Sequence, residues 1–73
     1  MSKPTLLQLR ETYGINLVLL ANAAEVGTEI VYAMLVGRPV ERWQAEKVLL
    51  GLKKLTGVRY ELEEIEIVIA KQL

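Results

Sequence analysis

Three glycines, Gly14, Gly37 and Gly57, each follow a run of apolar residues spaced three and four apart, so the chain is cut into short helices before any longer element can form. Leu6, Leu9 and Tyr13 mark the first helical face, ending at Gly14. Ile15 and Asn16 form a staple-and-cap pair ahead of Leu17, Leu20, Ala21 and Ala24, which places the start of a second helix at about Leu17. A third segment runs from Thr28 to Val36, with Val31 and Met34 as core positions, and Gly37 closes it ahead of Arg38 and Pro39. After "RPVE", the stripe Ala45, Val48, Leu49, Leu52 and Leu55 marks a fourth helix; Lys53 and Lys54 suit the negative end of its dipole.

The expected fold is all-α, with four to five short helices in a single domain over residues 1–73. A chain of 73 residues has room for one core only. The tail "VRYELEEIEIVIAKQL" is the exception to the helical pattern. Leu62 and Ile65 suit a helical turn, whereas "IEIVIA" is β-branched and partly alternating, so a turn followed by a short C-terminal β-strand is expected. A lone strand leaves unpaired edges and calls for a partner such as the same strand of a second copy. Residues 60–73 are therefore read as a dimerisation tail, with Ile65, Ile67, Val68 and Ile69, together with Leu35, at the interface.

Composition narrows the chemistry. Cysteine, histidine and aspartate are absent, which removes disulfides, thiolate nucleophiles, the usual zinc ligand sets and the commonest general base. No phosphate-cradling glycine loop occurs, and carboxylates cluster only in the tail, so neither catalysis, a metal, a cofactor nor a small-molecule substrate is expected. Glu61, Glu63, Glu64 and Glu66 lack the ligand spacing of a calcium loop and read as a solvated face. The nine Lys plus Arg balance nine glutamates to a formal charge of zero, so any affinity for nucleic acid must come from local charge. The start does not fit a secretory signal, and the uncharged stretch from Thr12 to Ala24 falls short of the ~20 residues that span a bilayer. A cytoplasmic protein without a membrane segment is the expectation.

The four segments "LLQLRETYGI", "NLVLLANAAEV", "GTEIVYAMLVGR" and "AEKVLLGLKKLTGV" resemble the helix-turn-helix domain of the Cro and phage-repressor type, the XRE family, over roughly Leu6 to Ile65. Leu20, Ala21, Ala24, Val26, Val31 and Gly37 fall where that family places its packing residues and its closing glycine. The resemblance implies a lambda-repressor-like fold with residues 16–37 as the helix-turn-helix unit. It further implies a homodimeric, repressor-like transcriptional regulator that sets its third helix in the major groove of double-stranded DNA. On that alignment Thr28, Glu29, Tyr32 and Ala33 face DNA, and Arg38 and Arg42 meet phosphates beyond the helix end. Glu29 also has a purely structural role open to it, as a first-turn acid complementing the helix dipole. Arg42 could instead pair with Glu46 on the surface of the fourth helix.

Several positions depart from the family. Glu25 stands where glycine usually makes a left-handed turn, which costs roughly 1 kcal/mol or more. Gly27 replaces a capping serine, and Leu17, Val18 and Leu19 replace the polar start of the second helix. Leu35 replaces a glutamate that pairs with the first-helix arginine, leaving Arg10 without that partner. Exposed Leu17, Val18, Leu19, Ile30 and Leu35 would form an apolar patch. Two alternatives follow: an assembly module that has exchanged DNA contacts for protein contacts, or one continuous helix from Leu17 to Val36 in a domain-swapped dimer. Trp43 is read as covering the core at the start of the fourth helix, with an interface anchor as the alternative.

Overall fold

The computed structural model describes residues 3–70 and places four helices in this order: α1 (Leu6–Tyr13), α2 (Leu17–Ala24), α3 (Thr28–Leu35) and α4 (Arg42–Thr56). Local chemistry sets most of their ends. Thr5 and Gln8 cap α1 reciprocally, the Thr5 N–H donating to Gln8 Oε1 (2.9 Å) and the Gln8 N–H to Thr5 Oγ1 (3.1 Å). Asn16 Oδ1 accepts from the amides of Val18 (2.8 Å) and Leu19 (3.3 Å), satisfying two free donors at the start of α2. Glu41 and Gln44 form the corresponding box on α4, and Gly57 ends it.

The helix axes of α2 and α3 are bent by 118° across the intervening turn. The break lies at Glu25, whose φ of 59° is left-handed, so the continuous helix from Leu17 to Val36 is not formed. Leu6, Leu20, Val31, Val48 and Leu52 are fully buried at the centre of one core. α4 is the longest helix and lies across α2, passing so close that a β-carbon on Gly51 would sit 2.7 to 2.8 Å from the backbone and β-carbon of Ala24.

The tail departs from expectation. After a 3-10 turn at Leu62–Glu64 it runs extended, but no strand forms among the described residues, only two isolated parallel bridges, Thr5 with Glu66 and Val40 with Ile69. The Glu66 N–H donates to the Pro4 carbonyl (2.9 Å), the Val40 N–H to the Val68 carbonyl (3.1 Å) and the Ala70 N–H to the Val40 carbonyl (2.8 Å). Pro4 and Thr5 lead into α1 and Val40 leads into α4, so each partner turns away after one bridge. The tail thus finds its partners within its own chain.

That corrects the expected dimer surface as well. Ile65 is only 2% exposed and belongs to the core, while Ile67, Ile69 and Leu35 are half-buried against it. Of the five positions only Val68 is open to solvent.

Candidate nucleic-acid interface

Thr28, Glu29 and Tyr32 lie on the outer side of α3, all exposed, with Tyr32 52% accessible. Arg38 and Arg42 follow α3 and are exposed too, and neither forms an ion pair among the described residues. The alternative for Arg42, a surface pair with Glu46, is not made. Ala33 corrects the sequence-based set: it is half-buried and packs against the core, so its methyl group serves the fold more than an outer surface.

The start of α3 bears on Glu29. Gly27 is its N-cap and supplies no side chain to the free amides. The Glu29 carboxylate folds back over Gly27, into the space a β-carbon there would occupy. An acid so placed complements the positive end of the helix dipole, and it also stands where an incoming phosphate would otherwise bind. Because Gly27 has no side chain, that space is open to the Glu29 carboxylate.

The apolar patch is smaller than the sequence suggests. Val18 and Leu19 are each 53% exposed at the start of α2, and Val36 is open at the end of α3. Leu17, Ile30 and Leu35 are half-buried against the core. Arg10 is half-buried, and its Nε is buried without a hydrogen-bond partner.

Much of the positive charge gathers elsewhere, along α4. Lys47, Lys53 and Lys54 border a depression of about 380 Å³ shared with Ala23, Ala24, Glu25 and Leu50. Lys54 Nζ donates to the Ala23 carbonyl (3.2 Å) and lies 3.7 Å from Glu25, so it serves the end of α2 as well as its own helix. Sequence reasoning missed this because the charge suits its own helix end equally well.

Trp43 does not cover the core. It is 53% exposed, its Nε1–H donates to Glu41 Oε2 (2.8 Å), and Lys47 Nζ lies 5.8 Å from the ring centre. Trp43 stands two residues before buried Ala45, roughly 200° around the helix, which turns it outward.

At the far end of α1, the hydroxyls of Tyr13 and Tyr60 share a hydrogen bond of 2.9 Å that ties the helix to the tail. This bond, with partial burial and the nearby Glu64 charge adding to it, holds the Tyr60 hydroxyl above its ordinary pKa of 10.0.

Among the described residues no three His, Cys, Asp or Glu side chains are placed to hold a metal ion, and no single helix is long and apolar enough to cross a membrane. No family model matches the chain, and neither a curated protein nor a solved structure matches it.

Proposed function

We propose that the chain is a DNA-binding transcriptional regulator of the helix-turn-helix type, acting as a homodimer without cofactor or catalytic step. The observation that carries this reading is the turn between α2 and α3. A non-glycine residue, Glu25, adopts φ 59° there and sets the helix axes 118° apart, the arrangement that lets a second helix project from a scaffold into a groove. Thr28 and Tyr32 on the outer side of α3 then meet base edges or phosphate oxygens. Arg38 and Arg42 supply the attraction to the backbone just beyond the helix. With two copies, two such helices read half-sites about one DNA turn apart.

The test is a salt titration of binding to duplex DNA. Replacing Arg38 and Arg42 together by alanine should weaken binding to all duplexes alike and lower the salt slope by about two units per copy, about four for the dimer, roughly one for each lost phosphate contact. Tyr32→Ala should alter the preference among sequences with little change in slope. No binding at low salt, or binding indifferent to the double change, would remove the regulator reading.

A second reading, a protein-assembly module on the same scaffold, is favoured by one observation: Val18 and Leu19 on α2, Tyr32 on α3 and Val36 just past its end are all about half exposed. Such an apolar interface should not weaken as salt rises, whereas DNA binding should weaken steeply.

A further inference from the structure

α4 turns outward a face that no described part of the chain covers. Trp43 and Leu50, seven residues or about two turns apart, are 53% and 51% exposed along it. Leu50 lines a depression on each flank of the helix. On the α2 flank three lysines, Lys47, Lys53 and Lys54, stand against one glutamate, and that glutamate, Glu25, already meets Lys54. On the tail flank the balance reverses. A smaller depression of about 140 Å³ carries Glu46, Glu61 and Glu63 against Arg59, which is tied to Glu61 at 3.0 Å, and Arg42 at the start of α4, the same arginine that the DNA-binding reading turns to phosphate, so three acids face two bases there. An apolar ridge thus separates a basic flank from an acidic one.

We infer that this face docks a second copy of the chain about a two-fold axis running along α4. Such an axis lies in the plane of contact and exchanges left with right. The lysine flank of each copy therefore meets the glutamate flank of the other, while Trp43 and Leu50 fall near their own counterparts. A two-fold axis across the helix leaves left and right unchanged and would set lysine on lysine, so charge selects the first arrangement. The same surface discriminates against other occupants. An acidic protein, a nucleic acid or an anionic lipid surface would suit Lys47 and Lys54 but be repelled by Glu46 and Glu63. Only a partner with both signs in mirrored order satisfies both flanks, and the chain itself carries that order. A tryptophan and a leucine at the centre of a charged rim are also what an interface core needs.

This pairing supplies the two copies that the DNA-binding reading calls for, and its test uses no DNA, so either can fail without the other. The full chain has one tryptophan, Trp43, whose emission reports burial of the face directly. The wild-type chain should double in mass as concentration rises, with a blue shift of emission following the same curve. Lys47→Glu and Glu46→Lys should each weaken self-association roughly tenfold or more, because both symmetry-related contacts turn repulsive. Mixed in equal amounts, the two variants should recover the wild-type association, since each then meets its opposite. Leu50→Glu should abolish it by placing like charges near the axis. All three positions are exposed, and unchanged helical dichroism checks the fold. Should either charge variant unfold, Lys54→Glu, on the same line of α4 as Lys47, with Glu63→Lys tests the same two flanks. A chain that stays monomeric to about 100 µM, a dimer that none of these changes moves, or a mixture that fails to recover would overturn the inference.

Discussion

Glu25 is the one non-glycine among the described residues with a positive φ, and an L-residue held there costs about 1–2 kcal/mol. The cost is met by the backbone around it. The Glu25 N–H donates to the Asn22 carbonyl (3.2 Å), the Val26 N–H to the Ala21 carbonyl (3.1 Å) and Lys54 to the Ala23 carbonyl, so three of the carbonyls that α2 leaves open find donors. The side chain adds little, because its pair with Lys54 is 3.7 Å long and exposed on both sides, a geometry worth at most about 1 kcal/mol and commonly nothing. Glu25→Gly should therefore stabilise the protein. Relief of strain exceeds the roughly 0.4–1 kcal/mol that glycine returns by loosening the unfolded chain, leaving a gain of a few tenths to about 1 kcal/mol in denaturant unfolding. Glu25→Ala keeps the strain and should give no such gain. If glycine destabilises the protein, the turn is held by the glutamate side chain after all. A left-handed turn at this residue was legible only through the resemblance to the helix-turn-helix pattern, since nothing local to Glu25 marks it. Ala33 was not, since Tyr32 and Ala33 differ by about 100° of arc and spacing alone does not say where the surface of α3 ends.

At the scale of the helices, the crossing of α4 over α2 is the contact with least tolerance. Gly51 is buried, and the space beside its α-carbon is filled by the backbone of Ala24, which cannot move as a flexible side chain could. Gly51→Ala sets two effects against each other. Alanine favours the helix by about 0.8–1 kcal/mol, whereas forcing α2 and α4 apart costs typically 1–3 kcal/mol. Contact with fixed backbone puts the second effect at its upper end, so the variant should be destabilised by about 1–2 kcal/mol and melt at a lower temperature. A variant that melts higher would mean that the crossing yields freely. The helices themselves were readable, because their signals are local: Asn16 caps α2, Gly14 and Gly57 close α1 and α4, and the apolar stripes match the buried faces. What depends on a neighbour was not. A glycine inside α4 looks like a weakness of that helix until Ala24 is seen beside it, and Lys54 looks like a partner of its own helix dipole until the end of α2 is seen within reach.

For the molecule as a whole, the tail is the element that changes most from sequence to structure. "IEIVIA" has the composition of a strand, and composition cannot say that its partners are two single residues, one ahead of α1 and one ahead of α4. By joining them the tail ties the start of the chain to the link between α3 and α4, and so braces the segment that holds Arg38 and Arg42 next to α3. Removing residues 66–73 therefore acts on the fold of each copy. The truncation takes away three backbone hydrogen bonds and the half-buried side chains of Ile67 and Ile69. Half of a buried isoleucine is worth about 1 kcal/mol, and each net hydrogen bond about 0.5–1.5 kcal/mol. Together these come to about 3.5–6.5 kcal/mol, against the roughly 4–11 kcal/mol that holds a domain of this size. The truncated chain should lose most of its stability, melting far below the full-length protein or populating unfolded chains at room temperature, with loss of helical dichroism. Had the tail been a strand shared between copies, the same truncation would release folded monomers of unchanged melting temperature. Dichroism and mass in solution, measured together on the truncated chain, separate the two outcomes: a folded, thermally intact monomer would mean that the tail's bonds to Pro4 and Val40 do not hold the fold.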